Sequence, residues 1–223
     1  MKRVPEPDLM DNAEQALAYA ETDFSEAHNS FVSHFRARFP DFNNGNILDL
    51  GCGTADVIIR FAKAYPDCRI TGIDGAQAML DIGMHDIEKK GCGTQIILRK
   101  CVLPDNDLHS ACFDAVISNS LLHHLVDPLV IWDTIKQCSG DMTPIFVMDL
   151  MRPDSTEKAE QLVRLHAGDA PSTLQKDFYN SLLAAYRTDE VIHQLKTAGL
   201  DYLSVEVVSD RHLLVWGNKR QNG

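Results

Sequence analysis

The stretch Ile47-Leu-Asp-Leu-Gly-Cys-Gly-Thr-Ala-Asp56 decides the fold of this chain. Its first four residues are typical of a buried strand, and a glycine-rich turn follows at once. Apolar side chains then recur at helical spacing until Pro66, which ends the helix. These side chains are Val57, Ile58, Phe61, Ala62 and Tyr65. A strand, a Gly-x-Gly turn and a helix in this order let the backbone approach a nucleotide-like ligand closely.

The composition indicates a globular protein with a substantial core. The chain has 223 residues, of which 44% are hydrophobic, enough for one α/β domain. It contains no apolar run of about 18 residues and begins with a polar segment, so we expect no membrane span and a cytoplasmic location. Six cysteines form no C-x-x-C pair, which argues against a metal site and against disulfides. A formal charge of −11 without a basic block argues against a nucleic-acid partner.

Alternating strand and helix patterns follow the first turn. The predicted strands are 69–73, 95–100, 113–118 and 143–149, and the predicted helices are 77–90 and 129–138. This alternation predicts right-handed βαβ units and a parallel sheet. Helical spacing over 11–39 predicts one or two helices before the first strand.

The pattern changes after the fifth strand. Three helices are predicted, over 154–166 with Asp154 and Glu157 as a capping box, over 174–185, and from Thr188 to Gly199. A crossover connection between parallel strands needs only one helix. The two additional helices predict an insertion over the ligand face. The final segments 203–208 and 212–217 are separated by a short turn and predict an antiparallel hairpin.

The residues around the glycine turn select among possible ligands. A dinucleotide fingerprint requires a small residue where this chain has Asp56. Asp49 and Asp56 also flank the start of the helix, where negative charge disfavours a pyrophosphate. A ligand with a positive end fits better. Asp74, at the end of the second strand, is suited to binding both ribose hydroxyls.

Four motifs carry a family resemblance. They are Asp-Leu-Gly-Cys-Gly-Thr at 49–54, Ile-Asp at 73–74, Phe-Asp-Ala-Val-Ile-Ser at 113–118 and Leu-His-His-Leu-Val-Asp-Pro at 122–128. Together they resemble class I S-adenosylmethionine-dependent methyltransferases, particularly those of menaquinone and ubiquinone biosynthesis. The resemblance implies a Rossmann-like, seven-stranded, mostly parallel sheet with a C-terminal antiparallel hairpin and helices on both faces. It also places strand seven between strands five and six.

The sequence has no internal repeat, low-complexity tract or interdomain linker, which predicts one domain over 1–223. Its expected parts are an N-terminal helical cap (1–45), a cofactor-binding core (46–150), inserted helices over the substrate face (151–187), and the last helix with the hairpin (188–223). The hairpin edge and the inserted helices leave room for a homodimer.

The implied cofactor is S-adenosylmethionine, with S-adenosylhomocysteine as product. Asp49 and the backbone of Gly51, Cys52 and Gly53 would hold its methionine and ribose parts. Asp74 would bind the ribose diol, Gly75 and Ala76 would pass beside the adenine, and Asn119 and Ser120 would lie under the methionine end. Many relatives carry an acid before strand four for the adenine amine. Here the segment reads Lys-Cys-Val-Leu-Pro-Asp at 100–105, so this contact stays open between the backbone of Cys101 or Val102 and the carboxylate of Asp105.

Methyl transfer needs an aligned nucleophile, exclusion of water and removal of a proton from an O–H or N–H acceptor. His123 and His124, after strand four, are candidate bases, and packing in the loop is the alternative for each. Asp149 and Arg152 form a pair that would orient a substrate or simply tie the strand end to the next helix. Arg211 and His212, in the hairpin turn, are expected near that pair as candidates for anion recognition and proton removal. Ordinary turn chemistry is their alternative.

Three aromatic or amide side chains complete the predicted site. Tyr19, ahead of the first strand, would fold over the cofactor and attract the sulfonium by a cation–π contact. Tyr179 and Asn180, on the inserted helices, would line the acceptor pocket.

The function predicted from these residues is methyl transfer to oxygen or nitrogen of a small-molecule acceptor. Two alternatives stay open: an RNA or protein methyltransferase, and a protein that binds the cofactor without transferring its methyl group. Asn-Ser-Leu-Leu at 119–122 differs from the Asn/Asp-Pro-Pro-Tyr tetrad expected for an exocyclic amine or glutamine target.

Overall fold

The computed structural model describes residues 1–6, 11–20, 22, 24–105, 108 and 112–220. Seven strands form one sheet in the order β3-β2-β1-β4-β5-β7-β6. The strands are β1 Asn44–Leu50, β2 Asp67–Asp74, β3 Ile96–Lys100, β4 Ala115–Asn119, β5 Pro144–Leu150, β6 Ser204–Val207 and β7 His212–Asn218. Strands β1 to β5 pair in parallel, and β7 runs antiparallel to both β5 and β6. The predicted fold class and strand order are confirmed.

Eight α-helices pack around this sheet in the described part of the chain. They are α1 Ala13–Ala20, α2 Ser25–Arg38, α3 Asp56–Ala64, α4 Gln77–Lys89, α5 Leu129–Cys138, α6 Thr156–Ala167, α7 Ser172–Ala184 and α8 Thr188–Ala198. A 3₁₀ turn covers Leu122–His124 after β4. Each predicted helix is present, but the predicted cap of α6 is wrong. Ser155 in extended conformation accepts the Lys158 amide at 3.2 Å and caps the helix, one residue beyond Asp154.

The core lies on both faces of the sheet because successive strand residues point to opposite sides. Ile47 joins an aromatic cluster beneath α2 and α3, in which the Phe35 ring lies 4.8 Å from that of Phe61. Leu48 joins the second cluster with Trp132 of α5. The buried Trp132 indole donates to Gln194 of α8 at 3.0 Å, so its one polar group is satisfied.

The carboxyl ends of the parallel strands meet at one edge of the sheet, and three segments flank that edge. α1 packs on α4, and α7 packs on the 3₁₀ turn. The N-terminal arm, residues 1–6, lies against α7 and the same turn, where the Val4 amide donates to the Leu183 carbonyl at 3.0 Å. None of the helices in the described ranges combines the length and apolar character that crossing a membrane requires.

Candidate active site

The glycine turn after β1 is shaped for close approach. Gly51 and Gly53 have φ of 76° and 51°, in the left-handed region that disfavours side chains. A Cβ at Gly51 would lie 2.8 Å from Leu121, so Gly51 is required by packing. A Cβ at Gly53 would meet no atom of the described residues within 4 Å. The turn therefore opens into space at Gly53, where a ligand can contact the backbone.

Asp74 closes this turn from the end of β2. Its carboxylate accepts the Gly53 amide at 2.9 Å and the Ala76 amide at 2.8 Å. A carboxylate has about four lone-pair sites, so two further donors can bind. The geometry fits the predicted ribose contact and adds a structural role that sequence reasoning missed.

Two buried oxygens lie on neighbouring strands of this edge. Asp49 is 2% exposed, and its Oδ1 has no hydrogen-bond partner among the described residues; the Oδ1 of Asn119, at the end of β4, is in the same condition. An unsatisfied buried polar atom costs about 1–3 kcal/mol. Burial, and then the charge of Asp74, raises the pKa of Asp49 to about 8. Both oxygens suit the N–H donors of a cationic ligand, so the cluster of Asp49, the Gly51–Gly53 turn, Asp74 and Asn119 is termed the cofactor cradle.

Ser120 and Cys52 support the backbone of the cradle. Ser120 has a φ of 59°, and its amide donates to the Met148 carbonyl at 2.9 Å as the chain leaves β4. Cys52 is buried, and burial raises the pKa of its thiol well above the ordinary value. A protonated, buried thiol acts here as a small packing group.

Tyr19 lies at the edge of the cradle. It packs with Ala16 of α1 and with Ala76 and Met79 at the start of α4. Burial, and then the nearby carboxylates of Asp56 and Asp74, raises the pKa of Tyr19 to about 12. The ring therefore lies on the Asp74 side, and its predicted contact with the sulfonium stays a prediction.

Asp56 serves the packing of helices. It accepts a hydrogen bond from His28 Nδ1 at 2.7 Å and another from Arg60 Nε at 2.7 Å. Burial alone would raise the pKa of Asp56, but these two partners lower it well below its usual range. Asp56 thus joins α2 to α3. His28 carried no recognisable signal because its partner is distant in sequence.

The adenine side of the cradle is partly described. The Cys101 amide donates to the Asp74 carbonyl at 2.9 Å, so this N–H is already engaged. The Cys101 thiol lies 3.1 Å from the Asp105 carboxylate, and the side chain of Val102 is exposed. Gly75 follows Asp74 on the same side. The adenine contact of Val102 or Asp105 stays a prediction.

His123 is tied to β5. It is 3% exposed, and its Nδ1 donates to Asp149 Oδ1 at 2.6 Å, while Asp149 Oδ2 accepts the Leu122 amide at 2.7 Å. Burial alone would lower the pKa of His123, but the charge of Asp149 raises it on balance. Asp149 therefore fixes the 3₁₀ turn against the sheet.

The predicted pair of Asp149 and Arg152 is wrong. Asp149 is engaged with His123, and Arg152 donates to the Ala185 carbonyl at 2.8 Å and to Glu190 at 2.6 Å. Arg152 follows the end of β5. Its guanidinium extends toward α8, where it forms an ion pair with Glu190. It is a structural residue that joins β5 to α8.

His124 faces the N-terminal arm. Its Nδ1 lies 2.8 Å from the Glu6 carboxylate, whose other oxygen accepts the Ser181 hydroxyl of α7 at 2.7 Å. The rings of His123 and His124 are 4.0 Å apart. Arg3 anchors the arm by donating to the His123 carbonyl at 2.8 Å and the Leu125 carbonyl at 3.0 Å. Sequence reasoning missed Glu6 and Arg3, because a short polar segment such as the N-terminal arm shows no hydrophobic periodicity.

The turn between β6 and β7 lies beside the end of β5, as predicted, because the Met151 amide donates to the Arg211 carbonyl at 2.8 Å. His212 Nδ1 lies 2.9 Å from the Ser209 hydroxyl. Burial, and then the charge of Arg211, lowers the pKa of His212 to about 4. His212 is therefore neutral near pH 7 and a weak base. Arg211 pairs with Asp210 at 2.9 Å.

The two α7 residues predicted to line the acceptor pocket, Tyr179 and Asn180, lie on different sides of the helix. Gln15 of α1 donates to Asp177 at 3.0 Å, and Ser181 faces the arm, so this side of α7 looks toward the site. Asn180 shares that side by helical spacing. Tyr179 lies on the opposite side and packs against α6, which corrects its predicted place in the acceptor pocket.

The comparison with known families agrees with this geometry. Residues 47–140 match a family model described as a methyltransferase domain. Over these residues the chain is similar to methyltransferase domains. Together with the fold, the match confirms the predicted resemblance to class I S-adenosylmethionine-dependent methyltransferases.

Individual relatives extend this match. The ubiquinone biosynthesis O-methyltransferase of Actinobacillus pleuropneumoniae is 30% identical over 124 residues, which are 54% of this chain and 51% of that protein. The chain thus spans about half the length of this curated relative.

Solved methyltransferase structures share the fold of this chain. A SAM-dependent methyltransferase from Aquifex aeolicus has a TM-score of 0.63 at 16% identity, with 93% of this chain and 98% of that one covered. The plantazolicin methyltransferase BpumL, solved with SAH and a substrate analogue, has a TM-score of 0.67 at 14% identity, with coverages of 94% and 90%.

Proposed function

We propose that this methyltransferase moves the methyl group of S-adenosylmethionine to an oxygen or nitrogen of a small-molecule acceptor. The observation that carries the proposal is the pair of buried, unpartnered oxygens on Asp49 and Asn119. They lie at the carboxyl ends of adjacent parallel strands, where α/β sheets bind ligands. A cationic amino-acid group satisfies both the charge and the hydrogen bonds of this site, whereas a pyrophosphate satisfies neither.

Each part of the cradle has a proposed task. Asp49 and Asn119 receive the amino-acid end of the cofactor, with Ser120 beside them. Asp74 receives the ribose hydroxyls, and Gly51, Cys52 and Gly53 contribute backbone. Gly75, Ala76 and Val102 border the adenine, and Tyr19 covers the edge. When bound, the cofactor supplies a methyl group activated by a positively charged sulfur.

The acceptor side is proposed to lie between the 3₁₀ turn, α7 and the arm. His124 is the favoured proton acceptor because its side chain is 27% exposed, against 3% for His123. His212 is disfavoured by its low pKa. Arg211, with His166 2.9 Å away, supports recognition of an anionic acceptor group.

Two kinds of support favour a small acceptor over RNA or protein. The formal charge is −11, which disfavours a polyanion. The relative at 30% identity is named as an O-methyltransferase of ubiquinone biosynthesis, which supports a small-molecule acceptor. We further propose one functional domain, a cytoplasmic location consistent with six free cysteines, and a homodimer through the β6 edge.

The proposal is tested by following S-adenosylhomocysteine formation with separate metabolite, RNA and protein fractions of a cell extract. Product formation only with the low-molecular-mass fraction is expected. Formation only with RNA or protein would establish the first alternative. Cofactor binding without product in any fraction would favour the non-catalytic alternative.

A further inference from the structure

A group of possible metal ligands lies on the acceptor side, beside the strand that ends in the cradle. One ligand atom from each of Glu6, His123 and His124 lies within 4.8 Å of the other two. In the described ranges this is the only such group of three His, Cys, Asp or Glu residues. Their side chains are 13%, 3% and 27% exposed, so the group is largely shielded from water yet open on the His124 side.

The surrounding residues orient these ligands as the outer shell of a metal site does. Metal-binding histidines commonly donate their other ring N–H to a carboxylate. Here His123 Nδ1 donates to Asp149, which leaves the Nε2 lone pair for a ligand. Asp149 is itself held by the Leu122 amide, and Glu6 is held by the Ser181 hydroxyl. Two of the three proposed ligands, His123 and Glu6, are therefore oriented by a neighbouring side chain.

We propose that Glu6, His123 and His124 bind a divalent first-row transition metal of the zinc type. Two imidazoles and a carboxylate form a donor set used by catalytic zinc, which keeps a further position open. Bonds of about 2.0–2.1 Å place tetrahedral ligand atoms about 3.3 Å apart. The His124–Glu6 contact of 2.8 Å needs only a small opening to admit the ion.

The charge balance of the buried groups supports a dication. Glu6 and Asp149 bring two carboxylates into a region shielded from solvent, where they contact His124 and His123. A dication held by the neutral imidazoles would match the two negative charges. Among the described residues, no lysine or arginine side chain forms an ion pair with Glu6 or Asp149. Arg3 donates to the backbone carbonyls of His123 and Leu125, and its cation lies 4.0 Å over the Tyr186 ring.

The metal site also explains the course of the N-terminal arm. Glu6 is its sixth residue, and Arg3 and Val4 fix the arm on the 3₁₀ turn and α7. The arm thus completes a site whose other ligands come from the turn after β4. The metal proposal stands apart from the proposed methyl transfer, but it replaces the proposed base, because a His124 that ligates the ion has no lone pair left to accept a proton. If the metal and the methyl transfer both hold, the open position is suited to lowering the pKa of a bound acceptor hydroxyl.

The test uses the full chain, stripped with a chelator and dialysed against Co²⁺ or Zn²⁺ alone. Wild type is expected to retain one equivalent, and the Co²⁺ form is expected to show visible ligand-field bands without thiolate charge transfer. His124→Ala and Glu6→Gln should each lose the ion, whereas the exposed His85→Ala of α4 should retain it. Ser181→Ala should weaken binding about 10–100-fold, as outer-shell substitutions do.

Three results would overturn the site: no retained ion in wild type, retention by His124→Ala equal to wild type, or thiolate bands. Circular dichroism checks that the variants are folded. Zinc-edge X-ray absorption on wild type provides a test that needs no variant. Nitrogen and oxygen neighbours including imidazole are expected, and a sulfur shell contradicts the proposal.

Discussion

Asp49 concentrates the chemistry of the cradle in one carboxyl group. It is fully buried on β1, lacks a partner on Oδ1 and has a pKa raised to about 8. The sequence motif predicted its contact with the cofactor. The protonation state was beyond the sequence, because it depends on burial and on the charge of Asp74, which a linear pattern does not place.

Asp49→Asn should stabilise the ligand-free protein and weaken cofactor binding. The raised pKa means that the folded state favours the protonated form, so the contribution of Asp49 to stability is fully present below the ordinary value of 3.8 and is lost as the pH rises through about 8. The asparagine side chain of the variant does not ionise, so this pH-dependent loss of stability does not occur. The substitution should also reduce S-adenosylmethionine affinity at least about tenfold, or roughly 1.4 kcal/mol. Thermal unfolding from acid to alkaline pH and calorimetry check both effects, with the exposed Asp201→Asn as control. Unchanged affinity contradicts the assignment.

Cofactor binding should release a proton near pH 7. Asp49 is mainly protonated below about pH 8 in the free protein, and a cationic ligand favours its ionised form. Affinity should therefore fall as the pH drops below about 8, by up to about tenfold per unit. Calorimetry in two buffers of different ionisation enthalpy measures the released proton. Equal release by wild type and Asp49→Asn would assign the proton to another group.

At the scale of elements, local periodicity predicted the helices and strands well. What the sequence did not predict are polar contacts between residues that are far apart in the chain. His28 pairs with Asp56, and Glu6 with His124, across separations that no periodic pattern reveals. The Asp149–Arg152 pair failed for the same reason, since His123 and Glu190 are the nearer partners in space.

The N-terminal arm should depend on Arg3. Its guanidinium donates to two carbonyls after β4 and lies 4.0 Å over the Tyr186 ring. Arg3→Ala should therefore cost about 1–3 kcal/mol of stability. It should also speed hydrogen exchange in residues 121–125. Hydrogen–deuterium exchange read by mass spectrometry checks this, with the exposed Arg36→Ala as control. Exchange identical to wild type would mean that the arm is held by other contacts.

At the scale of the whole molecule, the sheet order and the position of the cradle followed from four motifs in order along the chain. Parallel strands bring Asp49, Asp74 and Asn119 to one edge, so their convergence was predictable. The residues of the acceptor side were less predictable. This side is proposed to be assembled from the arm, the 3₁₀ turn and α7, and the sequence did not reveal that Tyr179 packs against α6.

Calorimetric titration of the full chain with S-adenosylmethionine, S-adenosylhomocysteine and NAD tests the central claim most directly. We expect one site for each of the first two ligands, with a Kd of about micromolar or about −8 kcal/mol, and no binding of NAD. Asp74→Asn, which keeps one carbonyl acceptor for the turn, should weaken both ligands about tenfold or more. Absence of binding at about millimolar S-adenosylmethionine, or equal binding of NAD, would contradict the account.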